Sequence, residues 1–214
     1  MSIQNYIISG FILKNARKLA ATAHLAEGEQ ADQLFQEAYD GFASYSTSRA
    51  LYPDCLHSWG LALVNHAKKK TGDNALNLLD QAMLKFNLCD AVKPGHLGAF
   101  LDGGVALMEV AKVKCLAADN DWYSKAKASF LSAEEIQQGS ASYNLACLYA
   151  IQNKADSCLE ALEKARDCGL IPDKQDILND ADLDNVKKLP WFDEFIASLD
   201  IEEPPKEIYR DPYK

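Results

Sequence analysis

Proline stands at positions 53, 94, 172, 190, 204, 205 and 212 of this 214-residue chain and nowhere else. Inside a helix, proline removes a backbone hydrogen bond and clashes with the preceding turn, at a cost of about 3 kcal/mol. The blocks between these isolated prolines are therefore free to be helical over long runs. Composition favours the same state. Ala occurs 30 times, whereas Val and Thr occur 6 and 3 times. Alanine is the best helix former, and β-branched side chains suit strands. The expected fold class is all-α. With 48% apolar and 25% charged residues, the chain has the composition of a globular protein, not of a disordered or fibrous one.

The formal charge of −9 is unevenly placed. Residues 1–118 hold 11 basic and 11 acidic side chains, so the excess lies in residues 119–214. Residues 167–214 alone hold 13 acids against 6 bases. A pI near 4.9 argues against nucleic acid and anionic membrane, which both need a positive field. A protein or peptide partner is expected instead. No apolar stretch approaches the roughly 18 residues that span a bilayer. The six cysteines (55, 89, 115, 147, 158 and 168) include no C-x-x-C pair. They are expected to be small buried hydrophobes in a reducing, cytoplasmic setting. Residues 1–26 contain Lys14, Arg17 and Lys18 but no acid, which keeps an organellar location as the alternative. The plainer expectation is a first amphipathic helix.

Repeats decide the architecture of such a chain. The clearest unit runs from Ser140 to Leu170. Its first half places Tyr143, Leu145, Ala146 and Tyr149 at helical spacing, Asn153 breaks the pattern, and Cys158, Leu159, Leu162 and Ala165 form a second stripe before Gly169. Two helices of about 13 residues joined by a tight turn make a hairpin, in which Ala146 and Cys158 permit close approach.

This stretch resembles a tetratricopeptide (TPR) repeat. Tyr143-Asn144-Leu145-Ala146 matches the large-x-Leu-small start, Tyr149 the following aromatic, and Cys158, Leu162 and Ala165 the small–large–small series of the second helix. Looser units precede it. Residues 53–93 pair Trp59, Gly60 and Leu63 with Ala75, Leu79 and Ala82, and residues 94–139 pair a helix through Met108 and Cys115 with Ala126, Phe130 and Ala133. These units span about 41 and 46 residues, longer than the family's 34. The first hairpin pairs residues 3–26 with 31–51 through Phe35, Ala38, Phe42 and Tyr45. Between the helices of the second unit, the lysines at 68–70 suit a helix C-terminus, Gly72 a C-cap and Asp73 an N-cap. Gly103-Gly104, within a helical pattern, is expected to permit close packing.

The resemblance implies an α-solenoid of about four antiparallel helix hairpins over residues 1–170. Residues 171–199 resemble the C-terminal capping segment of bacterial and organellar TPR proteins, through Asp182-Leu183 and Pro190-Trp191-Phe192. Residues 200–214 read as an extended or disordered acidic tail.

Neither a phosphate-binding glycine loop nor a His-Glu-x-x-His or Gly-x-Ser-x-Gly pattern occurs. No catalytic residue, metal ligand set or cofactor is expected. The resemblance instead implies a groove lined by the first helix of each hairpin. It presents Tyr143, Asn144, Cys147 and Ile151 from the fourth unit and His57, Leu61 and Asn65 from the second. An asparagine there can both donate to and accept from a peptide backbone. Lys14, Arg17 and Lys18 share one helix face at i, i+3, i+4, where they form either a solvated face or a basic site that steers an acidic partner or favours self-association. The expected function is a non-enzymatic scaffold, adaptor or assembly factor. The alternatives are a subunit docked through its tail, or an enzyme or small-molecule binder using the groove.

Overall fold

The computed structural model describes residues 3–48 and 52–200. The tail expected over residues 200–214 lies outside them beyond Asp200. Ten α-helices follow one another, with no strand among the described residues: α1 (Ile3–Leu25), α2 (Gly28–Ser48), α3 (Pro53–Ala67), α4 (Gly72–Val92), α5 (Leu97–Val113), α6 (Asp121–Ile136), α7 (Ser142–Ile151), α8 (Ala155–Asp167), α9 (Lys174–Asn179) and α10 (Pro190–Ser198). A 3-10 turn, Ala181–Leu183, lies between the last two. The all-α class follows.

The first eight helices pack most heavily as α1 with α2, α3 with α4, α5 with α6 and α7 with α8. Each hairpin also touches the next: α2 packs on α3, α4 on α5 and α6 on α7. The first helices of successive hairpins meet as well, α1 with α3, α3 with α5 and α5 with α7.

The structure reveals an internal register that proline-bounded units of 41 and 46 residues miss. Ala16, Gly60 and Gly104 recur every 44 residues on α1, α3 and α5. Phe42, Phe86 and Phe130 recur at the same interval on α2, α4 and α6, as do the series Ala38, Ala82, Ala126 and Phe35, Leu79, Tyr123. All these residues are buried. The pairing is physical. A Cβ on Gly60 would lie 2.6 Å from the Phe86 ring, and one on Gly104 would meet the Phe130 ring in the same way. In the second and third hairpins a missing methyl on the first helix thus makes room for a phenyl ring on the second. In the fourth hairpin the second-helix series recurs as Cys158, Leu162 and Ala165, but only 32 residues after Ala126, Phe130 and Ala133. That hairpin is shorter because α7 has 10 residues where α5 has 17.

Gly103 and Gly104 divide the role expected of them. Gly104 packs on Phe130, whereas Gly103 lines a hollow of about 170 Å³ with Met83, Phe86 and Ser129. The turn after α3 also differs from expectation. Lys68 caps α3, and Gly72, at φ +55°, opens α4 instead of closing α3. Asp73 lies within the first turn of α4, where its charge favours the positive helix end. Lys69 and Lys70 reach back to Glu27 and Asp32, joining the first two hairpins.

Beyond α8, Ile177, Leu183, Val186, Phe192, Phe195 and Ile196 are buried in the same core as α7 and α8. Asn185 Nδ2 donates to the Ala150 carbonyl (3.1 Å) and Arg166 Nη1 to Ser198 Oγ (3.1 Å). These bonds hold the segment against the last hairpin. Four cysteines are buried as expected, but Cys115 and Cys168 are exposed because both stand just beyond a helix end.

Candidate functional site

Two hollows open among the first helices of the hairpins. One lies between α1 and α3 and has a volume of about 430 Å³. Ala20, Ala21, Leu25, Leu61 and Ala62 give it apolar walls, and Arg17, His24 and Asn65 supply polar groups. Leu25 is 84% exposed and Leu61 37% exposed, although both are large aliphatic side chains. Arg17 bridges the two helices: its Nε donates to Ser58 Oγ (2.8 Å) and its Nη2 to the Asp54 carbonyl (3.0 Å). Both acceptors are neutral, so the guanidinium is held in place without losing its charge to a carboxylate.

The second hollow, about 290 Å³, lies between α5, α7 and the 3-10 turn, with Lys68 from the end of α3 at its edge. Glu109, Lys112, Tyr143, Asn144, Cys147, Asp180 and Asp182 line it. Lys112 Nζ donates to Asp182 Oδ2 (2.6 Å) and Glu109 Oε1 (2.9 Å). Burial alone would push the Lys112 pKa down, but the two carboxylates outweigh it and hold the ammonium above its ordinary range. Burial raises the Asp182 pKa, and Lys112 opposes that shift. Tyr143 Oη donates to Asp180 Oδ2 (2.8 Å), and Cys147 Sγ donates to the same oxygen (3.5 Å). The other Asp180 oxygen accepts the Asp182 N–H (2.9 Å).

This geometry keeps protons on the groups that hold them. Burial, with Asp180 beside it, drives the Cys147 thiol pKa well up, and burial followed by Cys147 and Asp180 does the same for the Tyr143 phenol. A thiol in that state is a poor nucleophile, because the thiolate is the reactive form. Cys147, Asp180 and Asp182 bring donor atoms within 4.8 Å of one another. Each of the two carboxylates already accepts hydrogen bonds from this chain, and Lys112 sets a positive charge against Asp182. Brief alkylation of the folded chain will therefore modify Cys115 and Cys168 and leave the Cys147 thiol free of label, as read by peptide mass spectrometry. Rapid labelling of Cys147 would mean that the hollow holds an activated thiol.

The sequence-predicted residues fall in different places. Asn65 and Arg17 line the first hollow, and Tyr143 and Asn144 the second. Lys14 and Lys18 are exposed on α1. His57 is engaged between α3 and α5, its Nε2 lying 2.7 Å from Asp102 Oδ2. His66, on the same helix, turns instead to Asp32 and Tyr39 of α2. Ile151 is half-buried against the core of the last hairpins. Leu61 lies on the first hollow, and Cys147 on the second, buried.

Four charged groups of the second hollow, Glu109, Lys112, Asp180 and Asp182, escape a sequence reading. Glu109 and Lys112 share a helix face at i, i+3. Their link to Asp182 spans 70 residues, which no local pattern reveals.

No family model matches the chain, and no curated protein sequence matches it. No helix of the described residues is long and apolar enough to cross a membrane.

Proposed function

We propose that this chain is a non-enzymatic interaction protein, a TPR-like α-solenoid that acts as a scaffold, adaptor or assembly factor. It takes up a peptide or helix along the face built by α1, α3, α5 and α7. The observation that carries this reading is the state of Asn65 and Asn144. Each is half-buried, each lines one of the two hollows, and neither side-chain amide has a hydrogen-bond partner among the described residues. A half-buried amide left open on a binding face is well suited to an extended or helical backbone, since it offers donors and an acceptor together. Each such bond is worth about 0.5–1.5 kcal/mol net and adds direction to the apolar contacts around it. The protonated states of Cys147 and Tyr143 agree with binding more than with covalent chemistry.

A photo-crosslinking amino acid placed at position 65 or 144 tests this in native extract. The control position is 84, where Leu84 is exposed on α4, a second helix. Polypeptide adducts are expected from 65 and 144 and not from 84. Adducts confined to 84, or none from any position, would overturn the reading.

A further inference from the structure

We infer that the hollow between α1 and α3 binds a partner segment with large apolar side chains flanked by Asp or Glu. This deepens the proposed function, on which it rests, by fixing the chemistry of what one end of that face accepts. Two independent features meet at the hollow. Its walls are apolar: Leu25 and Leu61 are exposed there, over Ala20, Ala21 and Ala62. An occupant that covers two leucines removes apolar area from water, at roughly 25 cal/mol for each Å² buried.

Its charge has one sign. Arg17 and His24 line the hollow, and Lys14 and Lys18 stand exposed on the same helix. Residues 3–26 contain no acid at all. Among the described residues, Lys14 and Lys18 have no carboxylate partner, and Arg17 is anchored by Ser58 Oγ and the Asp54 carbonyl, both neutral. Glu27, the first acid after α1, is ion-paired with Lys69 (3.0 Å), and the Asp54 carboxylate stands 3.6 Å from His96 Nε2. The chain as a whole is acidic at −9, so the positive rim that Arg17 gives the hollow, continued along α1 by Lys14 and Lys18, runs against its overall charge. A lysine- or arginine-bearing segment would meet like charge at this rim, which disfavours it. An acidic one gains attraction at the rim and a faster approach.

Selection of a displayed random dodecapeptide library on the full chain tests the inference without a known partner. Peptides that pair Leu, Ile, Phe or Trp with Asp or Glu are expected to be enriched. The best of them, synthesised with a fluorescent label, should bind less tightly as salt rises. Its affinity should fall roughly tenfold for the Lys14→Glu/Lys18→Glu chain and be lost for Leu61→Asp. These positions are exposed, and circular dichroism will verify that each variant folds. Enrichment of Lys- or Arg-flanked peptides, or affinity unchanged by the charge reversal, overturns the acidic chemistry but leaves the proposed function standing. If Leu61→Asp instead dissolves a dimer seen by sedimentation, the occupant is a second copy and the inference falls. Failure to enrich any peptide, together with no adduct at positions 65 and 144, overturns both.

Discussion

Glu134→Ala will destabilise the chain by about 3 kcal/mol, because one carboxylate satisfies the junction between the third and fourth hairpins. Glu134 lies near the end of α6, and its side chain is only 9% exposed. Its oxygens accept the backbone N–H of Gly139 (3.0 Å) and of Ala141 (2.8 Å), and the Ser142 hydroxyl (3.1 Å). Lys164 of α8 donates to it as well. Ala141 stands at the N-cap of α7 and offers no side-chain cap of its own, and Glu134 from the previous hairpin holds its N–H. Truncation leaves two backbone donors and a buried hydroxyl without partners. Lys164, by contrast, is 42% exposed and recovers water when the pair is lost. Lys164→Met should therefore cost under about 1 kcal/mol. Urea unfolding of the two variants separates them, and equal losses would show that only the ion pair matters.

The same carboxylate gives a pH signature with a definite sign. Burial would raise the Glu134 pKa, but Lys164, Gly139, Ala141 and Ser142 outweigh it and hold it below the ordinary 4.5. Above pH 4.5 the group is charged in both folded and unfolded chains, and its contribution is complete. As pH falls below that value, the unfolded chain binds the proton first and the contribution drains away until the folded carboxyl also protonates. The gap in stability between the native chain and Glu134→Gln should thus be constant at neutral pH and narrow on acidification.

The hairpins were legible because each signal is local. Asn153 stands in the left-handed region at φ +56° and ends α7 where the break in periodicity places it. Asn120 caps α6 through its own side chain, which accepts the Trp122 N–H (3.1 Å). The 44-residue register was less legible because prolines are misleading landmarks. Pro53 occupies the first turn of α3, whereas Pro94 lies in the turn ahead of α5, so the two are not equivalent. The equivalent positions are small residues, Ala16, Gly60 and Gly104, and the meaning of the two glycines comes only from the phenyl rings 26 residues later. Non-local charge is harder still. Lys112 reads as an ordinary helical lysine until the segment after α8 folds back and sets Asp182 beside it. Asn65 and Asn144 reach the hollows because helical phase puts them on the first-helix face, which periodicity does carry. His57 shares a helix with Asn65 but is drawn aside by Asp102, a partner 45 residues away.

Adjacent glycines on α5 will respond to the same substitution with opposite sign. Gly103→Ala should leave stability unchanged or raise it by about 0.5–1 kcal/mol, since alanine is the better helix former. The nearest atoms to the added Cβ, on Phe86 and Ser129, lie 3.8 and 3.9 Å away. Gly104→Ala enjoys the same backbone gain but drives its methyl into the fully buried Phe130 ring, where overpacking costs about 1–3 kcal/mol or more. Gly104→Val will be worse, because two further methyls enter the same space. The ring is equally intolerant of removal: Phe130→Ala should cost about 3–5 kcal/mol through lost burial and the cavity left behind. The two sites are in contact, so their effects will not add. Gly104→Val combined with Phe130→Ala should fall short of the sum by about 1–3 kcal/mol, the valine filling part of the vacated volume. Denaturation midpoints of the six chains, native included, decide the matter. Equal shifts for Gly103→Ala and Gly104→Ala would refute the packing. If the pair behaves as stated, Gly60 with Phe86 must do the same one register earlier. The spacing of α3 and α5 from their second helices, and with it the shape of the proposed binding face, is then set by the absence of a single methyl in each unit.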